Sequence, residues 1–318
     1  MPCYYPLQVY SSVRSDGKKE LHFSSRATNT ASERFRDGKP MLDFSSIGGS
    51  FISLPCGRCM GCRLERSRQW AVRIMHEAQL YEDNCFITLT FDEEHLGKMC
   101  PNGSLDRKHM QNFMKRLRQK FGDRKVRTFY CGEYGEELGR PHYHACLFNL
   151  DFADKQYWKT VNGSAYYISQ TLMELWPFGH SMLGDLTFES AAYVARYCTK
   201  KVTGNAELVE AHYQGRLPEF CQASLKPGIG SGWLDKYGES DVFSFDEVVV
   251  RGVKCKPPRY YDKRLGRLDP IRFESIKQAR RLAAQSKSDD NTYARLLVKE
   301  RCHKARSRKL IRSYENAR

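Results

Sequence analysis

Two histidines and two tyrosines are the residues whose types and spacing could do chemistry together in this chain. His142-Tyr143-His144 lies in the apolar run GRPHYHACLFNL. Side chains alternate along a strand, so both imidazoles project from one face and can share a metal ion. A glycine-containing turn over residues 135–140 joins this stretch to a preceding strand that ends near Glu133, and antiparallel pairing carries Glu133 across from the histidines. Two imidazoles and one carboxylate leave coordination positions open, and the mixed N/O set suits Mn²⁺ or Mg²⁺. Taken alone, the same residues also fit a pair of ordinary histidines.

The tyrosines lie in the segment Tyr193-Val-Ala-Arg-Tyr197-Cys-Thr-Lys200. On a helix, Tyr193 and Tyr197 share a face, ~6 Å apart along the axis. Each has a cation three residues on, Arg196 after Tyr193 and Lys200 after Tyr197. A phenol with a pKa of ~10 is a poor nucleophile at neutral pH. It becomes a useful one where a metal polarises the phosphate under attack and a cation steadies the developing charge. The bland alternative is a half-buried helix whose rings pack and whose charges face water.

A third cluster is separate. Cys56-x-x-Cys59-x-x-Cys62 has the spacing of a metal knuckle, with Gly57 and Gly61 permitting tight turns. Zn²⁺ takes four ligands, and Cys3 is the first candidate for the fourth, with Cys255 and His76 as alternatives. Twelve cysteines in a chain without a secretory signal argue against a disulfide scaffold. Arg63 and Arg66, in the helix that follows the knuckle, either present charge to DNA or form a solvated face.

Chemistry of this kind needs a scaffold, and the chain is long enough for one. Its 318 residues carry 52 Lys+Arg against 37 Asp+Glu, a net charge of +15, and are 41% hydrophobic. A mean hydropathy of −0.63 and the absence of any long apolar run exclude a multispanning membrane protein. The first ten residues lack a signal-peptide pattern, so the chain is expected in a cytoplasm. The basic balance points to a polyanion partner. Residues 259–318 hold 18 Lys+Arg against 7 Asp+Glu, and the stretch 269–314 reads as a helical tail that is either a phosphate clamp or a solvated face. Helical periodicity falls on 63–82, 105–121, 168–176 and 189–201. Strand character falls on 85–91, 126–133, 142–150, 183–188 and 242–251, with an excursion over 154–167 and a glycine-rich loop over 224–237. Strands and helices mixed in this way are an α+β pattern built around an antiparallel sheet. Four regions are expected: an N-terminal arm with the Cys knuckle and a helix over 1–82, a catalytic core over 83–204, a loop and strand extension over 205–268, and a basic helical tail over 269–318.

A strand FITLTF, a strand containing HYH and a helix YVARYCTK, in that order, resemble the HUH endonuclease superfamily, specifically its two-tyrosine rolling-circle replication initiators. The segments CGRCMGCRLERSRQWAVRIMHE, CGEYGEELGRPHYHACLFN and PPRYYDKRL, together with the N-terminal MPCYYP, are similar to the replication initiation proteins of gokushovirus-type microviruses. The resemblance runs to about residue 265. It implies a ferredoxin- or RRM-like antiparallel sheet with helices on one side. By the same resemblance, His142, His144 and Glu133 hold the divalent ion and Tyr193 and Tyr197 are the nucleophiles, Tyr197 being expected to attack first while Arg196, after Tyr193, offers its wider fork to phosphate. Lys200 and Arg196 then steady the phosphate, and Thr88 and Thr90 line the sheet beside the site. The implied activity is a metal-dependent DNA nickase and strand transferase. It starts rolling-circle replication of a single-stranded DNA phage genome through a 5′-phosphotyrosine. Single-stranded and supercoiled origin DNA would be the substrate and a host polymerase and helicase the partners, in the cytoplasm of the bacterial host. No G-x-x-x-x-G-K-[ST] run is present, so no nucleotide cofactor is expected. Two readings compete with this one: a non-enzymatic zinc-containing nucleic-acid-binding protein, and a related HUH transposase.

Overall fold

The computed structural model describes residues 3–22, 49–135, 138–161, 163–200 and 206–308; the side chains of residues 8, 19, 22, 49–51, 197–200, 307 and 308 lie outside that description. The chain divides into two units, residues 1–65 with 284–310 and residues 66–283 with 311–318.

In the first unit, β1 (Leu7–Val13), β2 (Lys19–His22) and β3 (Gly49–Leu54) form an antiparallel sheet in the order β2-β1-β3. The cysteine knuckle follows β3 and runs into the start of the helix Met60–Ala78. The helix Tyr293–Arg308 belongs to the same unit. Tyr5 donates to Glu300 at 2.5 Å, the Tyr4 hydroxyl meets His303 Nδ1 at 2.5 Å, and Leu296 and Glu300 are buried. The basic tail is therefore not one helix. Pro270–Gln285 and Tyr293–Arg308 are separated by a short turn over Asp289–Asn291, in a polar stretch with no apolar stripe to keep a helix packed. Residues 309–314 of the expected tail lie outside the described residues.

The second unit is built on a seven-stranded sheet, and every pairing in it is antiparallel. After α1 (Met60–Ala78) come β4 (Asn84–Thr90), α2 (Glu93–Met99), α3 (Arg107–Lys120), β5 (Arg127–Tyr134) and β6 (Pro141–Phe148). Then follow β7 (Gln156–Val161), β8 (Ser164–Ile168), α4 (Gln170–Leu175), β9 (Ser181–Asp185), α5 (Phe188–Lys200), α6 (Ala206–Tyr213) and β10 (Phe220–Ala223). The sheet order is β10-β5-β6-β4-β9-β8-β7. The excursion over 154–167 proves to be the β7–β8 hairpin, which turns through Gly163 at φ +80° and extends the sheet through β9.

Strand alternation separates two cores. Ile87, Leu89, Tyr143, Ala145 and Leu147 face Met110, Phe113, Met114 and Leu117 of α3 and Leu172 and Leu175 of α4. Phe86, Phe129, Cys131, Cys146 and Phe148 face Ala71 and Ile74 of α1 and Ala191, Tyr193 and Val194 of α5. Helices thus cover both faces, not one. The expected α+β class and antiparallel sheet are present, but the one-sided arrangement is corrected. The strand sequences carry the reason, since β4, β5 and β6 are buried almost throughout and strands apolar on both faces need cover on both. Helix α3 begins at Asp106, whose carboxylate accepts from Lys108 N at 2.8 Å, and α4 begins at Ser169, which accepts from Leu172 N at 3.1 Å.

Two further readings are corrected beyond the sheet. The glycine-rich stretch over 224–237 follows the strand end at Ala223 and contains a helix, α7 (Ser231–Tyr237), in place of a continuous loop. Burial of Trp233 and Leu234 against Val72 and Tyr261 outweighs the local preference. The strand expected over 242–251 shrinks to β11 (Val248–Val250), paired with β12 (Val253–Cys255) around Arg251 and Gly252, both at positive φ. Helices α8 (Arg259–Leu268), α9 (Pro270–Gln285) and α10 (Tyr293–Arg308) complete the described residues.

One buried ion pair ties α1 to β5 on this face of the sheet. Glu77 of α1 and Arg127 of β5 are 1% and 5% exposed and bonded to each other. Gly230 N donates to the second Glu77 oxygen at 2.6 Å, and Arg127 Nη2 donates to the Pro227 carbonyl at 2.7 Å. With every charge partnered, removing one member strands the other. Arg127→Met is expected to destabilise the protein by about 3–5 kcal/mol. The double variant Arg127→Met/Glu77→Leu is expected to recover part of that loss, both read from denaturant midpoints. Equal midpoints for Arg127→Met and the unmodified protein would show that the pair carries no such weight.

Candidate functional site

The three strands β5, β6 and β4 place four side chains on one face. In register, Glu133 lies opposite His142, and Thr88 lies opposite His144. Phe129, Cys131 and Glu133 share that face of β5, as do His142, His144 and Cys146 of β6, and α5 packs over it.

Glu133 Oε1 is the focus. His142 Nε2 lies 2.6 Å from it, His144 Nε2 lies 2.9 Å from it, and the Tyr193 hydroxyl donates to it at 3.3 Å. Glu133 is 2% exposed and Tyr193 6%. Burial pushes the Glu133 carboxyl up, but the two imidazoles outweigh burial and hold it down at about 2. The carboxylate is therefore anionic at neutral pH.

The far side of each imidazole is also engaged. His142 Nδ1 donates to the Arg140 carbonyl at 3.0 Å, an acceptor-only partner, which fixes the ring with Nε2 directed at Glu133. His144 Nδ1 meets Thr88 Oγ1 at 2.9 Å. The Arg140 carbonyl also accepts from Gly135 N at 3.0 Å, while the Arg140 guanidinium bonds Glu93 and the Phe91 carbonyl. Gly135, Arg140 and His142 are thus tied to one another. The His144 ring stacks on Phe86 at 5.6 Å and meets Tyr193 edge-on at 5.1 Å. Glu133, His142 and His144 offer ligand atoms all within 4.8 Å of one another. With two nitrogens and one oxygen converging and the outer nitrogens already bonded, these residues fit a divalent ion.

The other expected residues fall as follows. Arg196 is half-buried on α5, three residues after Tyr193. The α5 backbone carries Tyr197 and Lys200, whose side chains lie outside the described residues. Thr88 is buried, with its hydroxyl on His144, and the Thr90 hydroxyl donates to the His180 carbonyl at 3.2 Å. Arg63 is half-buried and Arg66 is exposed, both on α1. Thr88 and the Arg140 carbonyl are the orienting groups that residue types alone do not reveal. The available signal was positional, since Thr88 shares a strand face with Phe86 and Thr90 two residues away on either side.

The four sulfurs of Cys3, Cys56, Cys59 and Cys62 also lie within 4.8 Å of one another. The N–H groups of Tyr4, Cys56, Cys59 and Cys62 donate to sulfurs of this group at 3.2–3.5 Å, the pattern that stabilises thiolates. Hydrogen bonds from the Cys3, Cys59 and Cys62 thiols drive Cys56 far below the usual thiol range. His76, an alternative fourth ligand, instead stacks on Trp233 at 3.6 Å and meets the Tyr261 hydroxyl at 2.8 Å; burial lowers its pKa to about 4. Cys255 lies in β12 of the other unit. The four cysteines form a second group fit for a metal ion.

A family model described as replication-associated protein ORF2/G2P matches residues 84–202, which contain Glu133, His142, His144 and both tyrosines. The chain is 35% identical over 219 residues to the replication-associated protein VP4 of Bdellovibrio phage phiMH2K, a match covering 66% of each chain. It is 32% identical over 303 residues to the replication-associated protein ORF2 of Spiroplasma virus 4, covering 90% of this chain and 87% of that one. It is 28% identical over 284 residues to the replication-associated protein ORF4 of Chlamydia phage 1, covering 81% of this chain and 69% of that one. No solved structure matches the chain significantly. With that identity sustained over nearly the full length of a relative, and with the family model lying over the strands and helix that build the site, this chain belongs to the family of phage replication-associated proteins.

Proposed function

We propose that this protein is an HUH-type nickase and strand transferase that starts rolling-circle replication of a phage genome at its origin. The observation that carries the reading is the convergence of His142, His144 and the Tyr193 hydroxyl on one carboxylate oxygen of Glu133. Glu133, His142 and His144 would hold Mn²⁺ or Mg²⁺. Such an ion, when bound, draws charge from the non-bridging oxygens of the scissile phosphate.

The protein's own residues do the rest. Glu133 Oε1 orients the Tyr193 phenol, whose proton passes to solvent as its oxygen attacks. The phenol oxygen forms a bond to phosphorus, the bond from phosphorus to the 3′ oxygen breaks, and the 3′-OH leaves with a proton. Arg196 steadies charge on the phosphate, and Tyr197 with Lys200 supplies a second phenol and cation on the same helix. The phosphodiester energy stays in the 5′-phosphotyrosine, so no nucleotide cofactor is required. A host polymerase extends the 3′ end and a host helicase unwinds the duplex, in the bacterial cytoplasm. When the origin is regenerated the second tyrosine attacks it, and the freed 3′-OH displaces the first tyrosine to close the circle. Among the described residues no helix is long and apolar enough to cross a membrane.

Incubation with single-stranded origin DNA and Mn²⁺ should yield a protein–DNA adduct that survives SDS, and a protein that only binds DNA would yield none. His142→Ala and His144→Ala should each abolish the adduct while DNA affinity persists, because affinity rests on distributed phosphate contacts. Undiminished nicking by both variants would remove the metal reading.

The tyrosines give a sharper test. Tyr193→Phe and Tyr197→Phe should each retain some single-turnover adduct and lose repeated circle release, and the double variant should form no adduct. A labelled-origin time course on a denaturing gel reads all three. Adduct persisting in the double variant would place the nucleophile elsewhere.

Cys3, Cys56, Cys59 and Cys62 would hold one structural Zn²⁺, whose binding contributes directly to folding. Elemental analysis should find about one zinc per chain, and Cys59→Ser should lose both the metal and thermal stability. A folded, active protein without zinc would overturn this assignment.

A further inference from the structure

A cavity of about 950 Å³ opens at the free edge of the large sheet, away from the Glu133 cluster. Strand β10 is the terminal strand there, and among the described residues it pairs only with β5, leaving its outer edge without another strand of the sheet. Arg107, Lys115 and Arg118 of α3 line one side of the cavity and Arg66 of α1 lines another. All four are exposed, and none is in an ion pair among the described residues. The single lining carboxylate, Glu219, already accepts from the Tyr213 hydroxyl at 2.5 Å. The floor is aromatic and apolar: Trp70, Met114, Phe129, Tyr130 and Phe220. Trp70 packs on Phe129 at 4.8 Å, and Arg73 backs the indole at 4.1 Å.

Four cations outside any described ion pair, set around the half-buried Trp70 indole, are the pattern that holds a single nucleic-acid strand, the cations tracking phosphates and the indole stacking on a base. A duplex would hide its base faces from such a floor. The position fits the same substrate. Phe129 and Glu133 lie on one face of β5, four residues apart, so the floor begins ~13 Å from the carboxylate along one strand. At stacked spacing that distance is on the order of four nucleotides.

We propose that this groove is a binding site for single-stranded DNA. It engages the strand a few nucleotides from the scissile phosphate through Arg66, Arg107, Lys115 and Arg118, with Trp70 as a stacking surface. The proposal rests on the nickase reading for its substrate and adds a binding surface outside the metal centre.

The test uses the full-length protein as purified, with no Mn²⁺ or Mg²⁺ added, and a short oligodeoxythymidylate as probe. The variant Arg107→Gln/Lys115→Gln/Arg118→Gln removes three exposed cations from one helix, and its thermal unfolding serves as a control for folding. Affinity should fall about tenfold or more, and the slope of log affinity against log salt should flatten by ~0.7 for each phosphate no longer neutralised, ~2 for the triple variant. Unchanged affinity and slope in a variant whose parent forms the adduct would overturn the groove and leave the nickase reading standing. A parent that binds the probe as predicted but forms no adduct would sink the nickase reading and leave the groove as a binding site. A duplex probe weakened to the same extent as the single strand would overturn the single-stranded occupant.

Discussion

The site depends on the register of three adjacent strands. Glu133, His142, His144 and Thr88 meet only because β5, β6 and β4 pair without a slip, which sets Glu133 opposite His142 and Thr88 opposite His144. A shift of one residue in β6 would turn both imidazoles into the α3 core and bring Tyr143 to the site. That error is opposed from both faces. Tyr143 is fully buried, with its hydroxyl donating to the Asp106 carbonyl at 3.0 Å, accepting from Asp106 N at 3.1 Å and meeting His109 Nδ1 at 2.8 Å. Burial pushes that phenol well above the usual tyrosine range, so it stays neutral and keeps its place in the network. The residue between the two histidines therefore locks the strand from behind while they face forward. Gly132 adds a second lock, because a Cβ there would come within 2.8 Å of Phe220 and 3.0 Å of Tyr143.

Much of this was legible in the sequence for a physical reason: the decisive relations are local. The alternation of His142 and His144, the short turn back to Glu133 and the four-residue step between Tyr193 and Tyr197 follow from strand and helix periods. The central elements also fall within a few residues of their expected bounds, as 85–91 against Asn84–Thr90 and 189–201 against Phe188–Lys200 illustrate. What was not legible depends on contacts distant in sequence. Trp233 finds Val72 and Tyr261 only after the chain has folded, and a stretch rich in glycine then becomes helix α7. Cover on both faces of the sheet follows from where α1 and α5 pack, which no single segment encodes. Thr88 was expected beside the site by resemblance alone, and its bond to His144 follows only from the β4–β6 register.

The two metal-fit groups differ in donor chemistry, and each suits a different task. Four sulfurs with N–H donors to them saturate a tetrahedral ion and leave it no open position, which is a structural arrangement. Two imidazoles and a carboxylate leave positions open. The first group lies in the unit that contains the N-terminal strands and the Tyr293–Arg308 helix, and the second in the unit built on the seven-stranded sheet. Sequence order hides the first relation, since Cys3 and His303 are at opposite ends of the chain, yet the Tyr4 that follows Cys3 meets His303.

Net charge is a poor guide to where a polyanion would bind, because many cations of the basic C-terminal region are already partnered. Arg280 reaches both Asp246 and Asp262, Arg264 pairs with Asp235, and Arg272 with Glu239. Arg295 and Lys299 share Asp290, and Lys304 pairs with Glu300. Each exposed pair contributes about 0–1 kcal/mol to stability, but a partnered cation offers a phosphate less than a free one, because binding must first give up the carboxylate. Arg107, Lys115 and Arg118 contribute only three charges to the sequence total, and they face a cavity lined by a single carboxylate, Glu219, which pairs with none of them among the described residues. The number of uncompensated cations around a concave surface, and not their number in a segment, decides where counterions collect and where a strand would displace them.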